Sequence, residues 1–137
     1  VIFLLVGLAA GADFAAGLAG IPLLILLAGA ITLAFGCVGM FVAARLGSSE
    51  AVQGMFPLFF MFLFFSSMAM PRPLLGHGWF RAVATANPIS YLIEGVRGLF
   101  IGGIDAGQLA IAFGICAVLT AVFLWAAARA LAGRLGR

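Results

Sequence analysis

The chain has 137 residues, 66% of them hydrophobic and 8% charged, with a mean hydropathy of +1.31 and a formal net charge of +3. This composition excludes a soluble domain of that size, whose exterior must stay polar, and places the chain among integral membrane proteins. The cations are all Arg and stand singly, so no basic footprint of the nucleic-acid-binding kind is present and no nucleic-acid partner is expected.

The first apolar run, Val1 to Ala12, opens without Met and without the positive region that begins a secretory signal. It is expected to be the tail of a membrane span whose start precedes residue 1. After a short polar break at Asp13, Ile21 to Ala44 carries no charge and would extend about 36 Å as a helix, enough to cross a bilayer with some tilt. The link RLGSSE, Arg45 to Glu50, is too short for anything but an antiparallel hairpin. Either Ser48 or Ser49 is placed to cap the next helix, with Glu50 near its positive end.

The next charge-free run is Ala51 to Pro71, expected to be the second full span. Its Phe residues fall all round a helix, so they read as lipid contact and packing. Pro57 lies near the helix start or introduces a kink. The hydroxyls of Ser66 and Ser67 are free to bond back to their own backbone or across to a neighbour. Ala106 to Ala128 is the last charge-free run. Cys37 and Cys116, with no partner at metal-ligand spacing, read as small core hydrophobes. By the positive-inside rule, Arg45 together with Arg129, Arg134 and Arg137 puts the link and the C-terminus in the cytoplasm.

The connection from Arg72 to Asp105 carries the remaining signals. Pro71 just before it and Pro73 within it act as breakers, and its first part has His77 in a Gly-His-Gly turn and Trp79 suited to a bilayer interface. Its second part is NPISYLIEGVRGLFIGG, Asn87 to Gly103. There Asn87 is expected to cap a helix with Pro88 at its first position, and Gly102-Gly103 to end it. Ile89, Leu92, Ile93, Val96, Leu99 and Phe100 make one apolar face. Glu94 and Arg97, three apart, are expected to pair, since an unpaired charge at membrane depth costs a few kcal/mol. The whole reads as a short helix that lies in the interface or dips in and returns, packed against the spans. Two roles stand for Glu94 and Arg97: holding the bundle together, or touching a transported molecule.

Pro71, Trp79, Asn87, Pro88, Tyr91, Glu94 and Arg97, in that order after a Phe-rich span ending SSMAMPRPLL, resemble the C-terminal half of ABC-2 type transporter permeases over roughly residues 50 to 130. The resemblance implies an all-α membrane protein, with the whole of 1–137 the C-terminal part of one permease domain. It would have three full transmembrane helices at 21–44, 51–71 and 106–131 and a partial fourth at 1–12. A re-entrant helical hairpin at 72–103 would precede the last span, with Asn87, Pro88, Tyr91, Glu94 and Arg97 serving gating or structure. The first two helices and the cytoplasmic coupling helix of such a permease would precede residue 1. It further implies a multi-pass protein of the bacterial plasma membrane that exports drugs, lipids or polysaccharides. Such a protein works as a homodimer or heterodimer, surrounded by lipid, with a separate ABC ATPase subunit.

No GxxxxGK[ST] phosphate loop and no catalytic, cofactor or metal constellation occurs in the sequence, so any ATPase activity would reside in the partner. A secondary transporter would place ionisable groups within its spans, and these spans have none. A non-transport membrane scaffold is the other alternative. The identity of a substrate is not written in these residues.

Overall fold

A computed structural model describes residues 6–7, 14–74 and 78–135. The expected partial span at 1–12 lies largely outside the described residues, as do Asp13, His77 and Arg137. All regular structure among the described residues is helical. In chain order the helices are α1 (Gly17–Leu46), α2 (Ser49–Gly54), α3 (Phe56–Phe64), α4 (Trp79–Ala86), α5 (Pro88–Ile101) and α6 (Ala106–Leu135), with a single 3₁₀ turn at Arg72–Leu74.

Two of these helices are long and apolar enough to cross a membrane, Gly17–Leu46 and Ala106–Gly133. Both are apolar all round rather than striped, the pattern of a helix that meets apolar surroundings on every side. On the outside of the bundle Leu18, Leu26, Leu33 and Met40 of α1 and Val118, Val122 and Trp125 of α6 are exposed, a surface suited to lipid and not to water. α1 starts four residues before the expected Ile21, because Pro22 is accommodated in its first turns. It stops at Gly47, which takes φ +74° and donates its N–H to the carbonyl of Ala43. That left-handed position favours glycine.

The expected continuous span over 51–71 is not one helix. It is interrupted at Met55, two residues before Pro57, and it ends at Phe64. Pro57 has no N–H to donate and disfavours helical geometry in the residue before it, so the chain restarts the helix just ahead of it. Beyond Phe64 the run Phe65–Pro71 makes turns.

α1 and α6 pack along their length. Leu27 and Ala34 of α1 meet Leu109, Ala112 and Cys116 of α6 in a core that Leu92 and Leu99 of α5 complete. The spacings of seven and of three and four put each set on one helix face. Further along, the rings of Phe41 and Phe123 lie 5.7 Å apart, so the two long helices run parallel. α2 and α3 return along α1, with Phe59 against Phe35 at 5.9 Å. α5 lies across the starts of both long helices. The N–H groups of Ala15 and Ala16 donate to the carbonyls of Phe100 and Leu99, both at 3.1 Å. Those carbonyls belong to the last turn of α5, where no intrahelical donor reaches.

Candidate functional site: a polar seam on α5

Asn87, Ser90, Glu94 and Arg97 are spaced three, four and three along α5, so they form one stripe on the helix. That stripe faces the non-helical run after α3. A helix satisfies its own backbone, whereas a turn at membrane depth leaves N–H and C=O groups that each cost several kcal/mol unless bonded. The seam supplies the missing partners.

Asn87 is the one-residue corner between α4 and α5, in an extended conformation (φ −81°, ψ 115°) of the kind Pro88 imposes on the residue before it. Its Oδ1 accepts from the N–H of Ile89 at 3.0 Å, the expected cap. Its Nδ2 donates to the carbonyl of Phe62 at 2.6 Å and to that of Phe65 at 3.2 Å. Ser90, fully buried, accepts from the N–H of Ser67 at 3.1 Å. The hydroxyl of Ser67 donates back to the Ser90 carbonyl at 3.1 Å.

Glu94 and Arg97 do not pair with each other, contrary to expectation. Glu94 takes Arg72 instead, through Nε at 2.9 Å, Nη2 at 2.6 Å and the backbone N–H at 3.2 Å. The two-pronged geometry is stronger than the single contact available to residues three apart on a helix. Arg97 is thereby left for the carbonyls of Ser67 and Met68, at 2.9 and 2.8 Å from Nη2. Tyr91 adds a brace: its ring lies 3.8 Å from the Arg72 guanidinium carbon, and its hydroxyl donates to the Thr85 carbonyl of α4 at 3.0 Å.

Burial alone would raise the pKa of Glu94. The hydrogen bonds from the side chain and backbone of Arg72 outweigh it and hold the carboxyl below its ordinary value of 4.5. Arg72 is correspondingly raised, chiefly by its hydrogen bond to Glu94.

The structure thus brings Asn87, Tyr91, Glu94 and Arg97 onto one side of α5, with Pro88 opening the helix. Sequence reasoning missed Ser90 and the role of Arg72. A signal for Ser90 existed in the polar period of 87, 90, 94 and 97. The apolar period of the same helix drew the reading away from it.

A second feature is an apolar groove between α1, α2–α3 and α5 with a volume of about 760 Å³. Among the described residues no group of His, Cys, Asp and Glu is arranged to hold a metal.

A family model for ABC-2 type transporters matches residues 1–101. No curated protein and no solved structure is similar enough to match.

Proposed function

The chain belongs to the ABC-2 type transporter family, and from that premise we propose that it is the permease subunit of an ATP-driven exporter in a bacterial plasma membrane. Membership makes it a membrane-embedded transport component of an ABC transporter. The match over residues 1–101 is the observation that carries the reading.

In the proposed assembly two permease subunits form the pathway and a separate ATPase drives it. The direction of the long helices supports a cytoplasmic C-terminus: because α1 and α6 run parallel, Arg45 and Arg129 fall at the same end, the end the positive-inside rule assigns to the cytoplasm. The residues 72–103 then lie toward the outer face. There the seam of Asn87, Ser90, Glu94 and Arg97 would hold the end of the α3 segment, α4 and α5 together as one body that moves as a unit when the ATPase switches state. The many bonds those residues make to backbone favour this structural role for Glu94.

The test is a pull-down of the protein at its full natural length from membranes in mild detergent. A stoichiometric ATPase that co-purifies, and whose ATP hydrolysis depends on the permease, is the expected result. Absence of any ATPase under conditions that preserve an established ABC complex overturns the reading.

A further inference from the structure

The groove between α1, α2–α3 and α5 has the size of a small-molecule site, which runs to about 300–1,000 Å³. A membrane-crossing helix, about 10–12 Å wide with its side chains, is too bulky to be seated in it whole. Phe35, Phe56, Phe59, Phe60 and Ile93 contribute to its walls, and Arg97 is the single charged residue among those that line it.

The charge on Arg97 has no counter-charge in the seam. Glu94, one turn earlier, is engaged by Arg72. Arg97 itself reaches only neutral carbonyls through Nη2, and its Nη1 is buried with no hydrogen-bond partner among the described residues. A guanidinium cannot shed its proton to relieve this. In surroundings of low dielectric its attraction for an anion is several times that in water.

We propose that the groove binds an apolar organic anion: a drug-sized amphiphile whose rings or chain lie against Phe35, Phe59 and Phe60, and whose carboxylate, sulfonate or phosphate is held by Arg97. The proposal deepens the exporter reading by naming a substrate class, and rests on that reading for the claim that the anion is cargo. Occupancy of the groove rests on its shape and charge.

The protein, purified at full natural length, is placed in nanodiscs of phosphatidylcholine and titrated with two fluorescent probes, with empty nanodiscs as blank. Anilinonaphthalene sulfonate is apolar and anionic; phenylnaphthylamine has the same skeleton without the sulfonate. The expected result is saturable binding of the sulfonate about tenfold or more tighter than the amine. Gly39 lines the groove, and a Cβ there meets nothing within 4 Å, so Gly39→Leu projects into the space without a clash at the backbone. It is expected to weaken sulfonate binding about tenfold or more. Arg97→Gln is expected to abolish the preference for the sulfonate, and Arg97→Lys to keep it.

Equal affinity for the two probes, or sulfonate binding untouched by Gly39→Leu, overturns the proposal. So does the absence of saturable binding, which would mean that protein fills the groove, and so does displacement of the sulfonate by phosphatidylglycerol added to the nanodisc, which would assign the groove to bilayer lipid. If Arg97→Gln does not fold, the wild-type contrast and Gly39→Leu decide. None of these titrations needs an ATPase, so a failed pull-down and a failed titration are separate results.

Discussion

Asn87 uses both ends of one amide: the oxygen caps α5 and the nitrogen serves two carbonyls at the end of α3. Asn87→Asp keeps the cap acceptor and replaces the donor with a second carboxylate oxygen facing those carbonyls. It is expected to destabilise the protein by on the order of 2–3 kcal/mol, read as a lowered Tm in detergent; an unchanged Tm would show that the donor end does nothing. Glu94→Ala strands Arg72, which is only 22% exposed, and should cost more than Asp105→Ala. Asp105 caps α6 by accepting from the N–H groups of Gly107 and Gln108, a role worth about 1 kcal/mol. Folding yield and transport of the two variants give the comparison. Because the folded pKa of Glu94 lies below 4.5, its contribution is fully present above that value and is lost as pH falls through the lower, folded one. Thermal stability is therefore expected to stay level from neutral pH down to about 5 as far as this group is concerned. It should decline below 4.5, and Glu94→Gln should remove that part of the decline. The cap and the terminating glycines of α5 are legible in the sequence because they act within a few residues. The partner of Glu94 is not, since Arg72 is brought beside it only by the turn after α3.

At the scale of elements, the contact of α5 with the long helices depends on a missing side chain. Gly95 is buried, and a Cβ there would stand 2.9 Å from the Cβ of Ala112 and 3.5 Å from Cδ2 of Leu27. Neither the Ala112 methyl nor its helix has a rotamer by which to yield. Gly95→Ala is expected to cost about 1–3 kcal/mol by overpacking, and Ala112→Gly in the same chain should recover much of it. A double-mutant cycle on Tm measures this, and additive effects would show that the two positions do not touch. The two long helices could be read from the absence of charge alone. In the 51–71 segment Pro57 marked the interruption, but the early end at Phe64 could not be read, because hydropathy counts residues and does not register where the backbone ladder stops.

For the molecule as a whole, the parallel course of α1 and α6 puts the Gly47-Ser48 link and the exposed Ile104 at opposite ends. Cys37 and Cys116 are buried, so neither competes with an introduced thiol for the reagent. Ile104→Cys is expected to react with a membrane-impermeant maleimide on intact cells, and Ser48→Cys only after permeabilisation. The reverse pattern would invert the orientation. Composition made the membrane class plain, and the order of motifs made the family plain. That α5 packs against the spans was legible; which positions carry the contact was hidden, because it rests on Gly95 and Ala112, small residues of types common throughout this chain.

The early end of α3 has a consequence for the bilayer itself. From Ser49 to Phe64 the helical rise is about 24 Å, against a hydrocarbon thickness of about 30 Å, while α1 and α6 each exceed it. One side of the protein is thus shorter than the lipid it meets and the other longer, a built-in hydrophobic mismatch. Lipid beside the Phe-rich side must thin to match it, at a cost that grows with every ångström of thickness. The thickness of the host membrane becomes a mechanical load on the seam, lightest in short-chain lipid and heaviest in long-chain lipid.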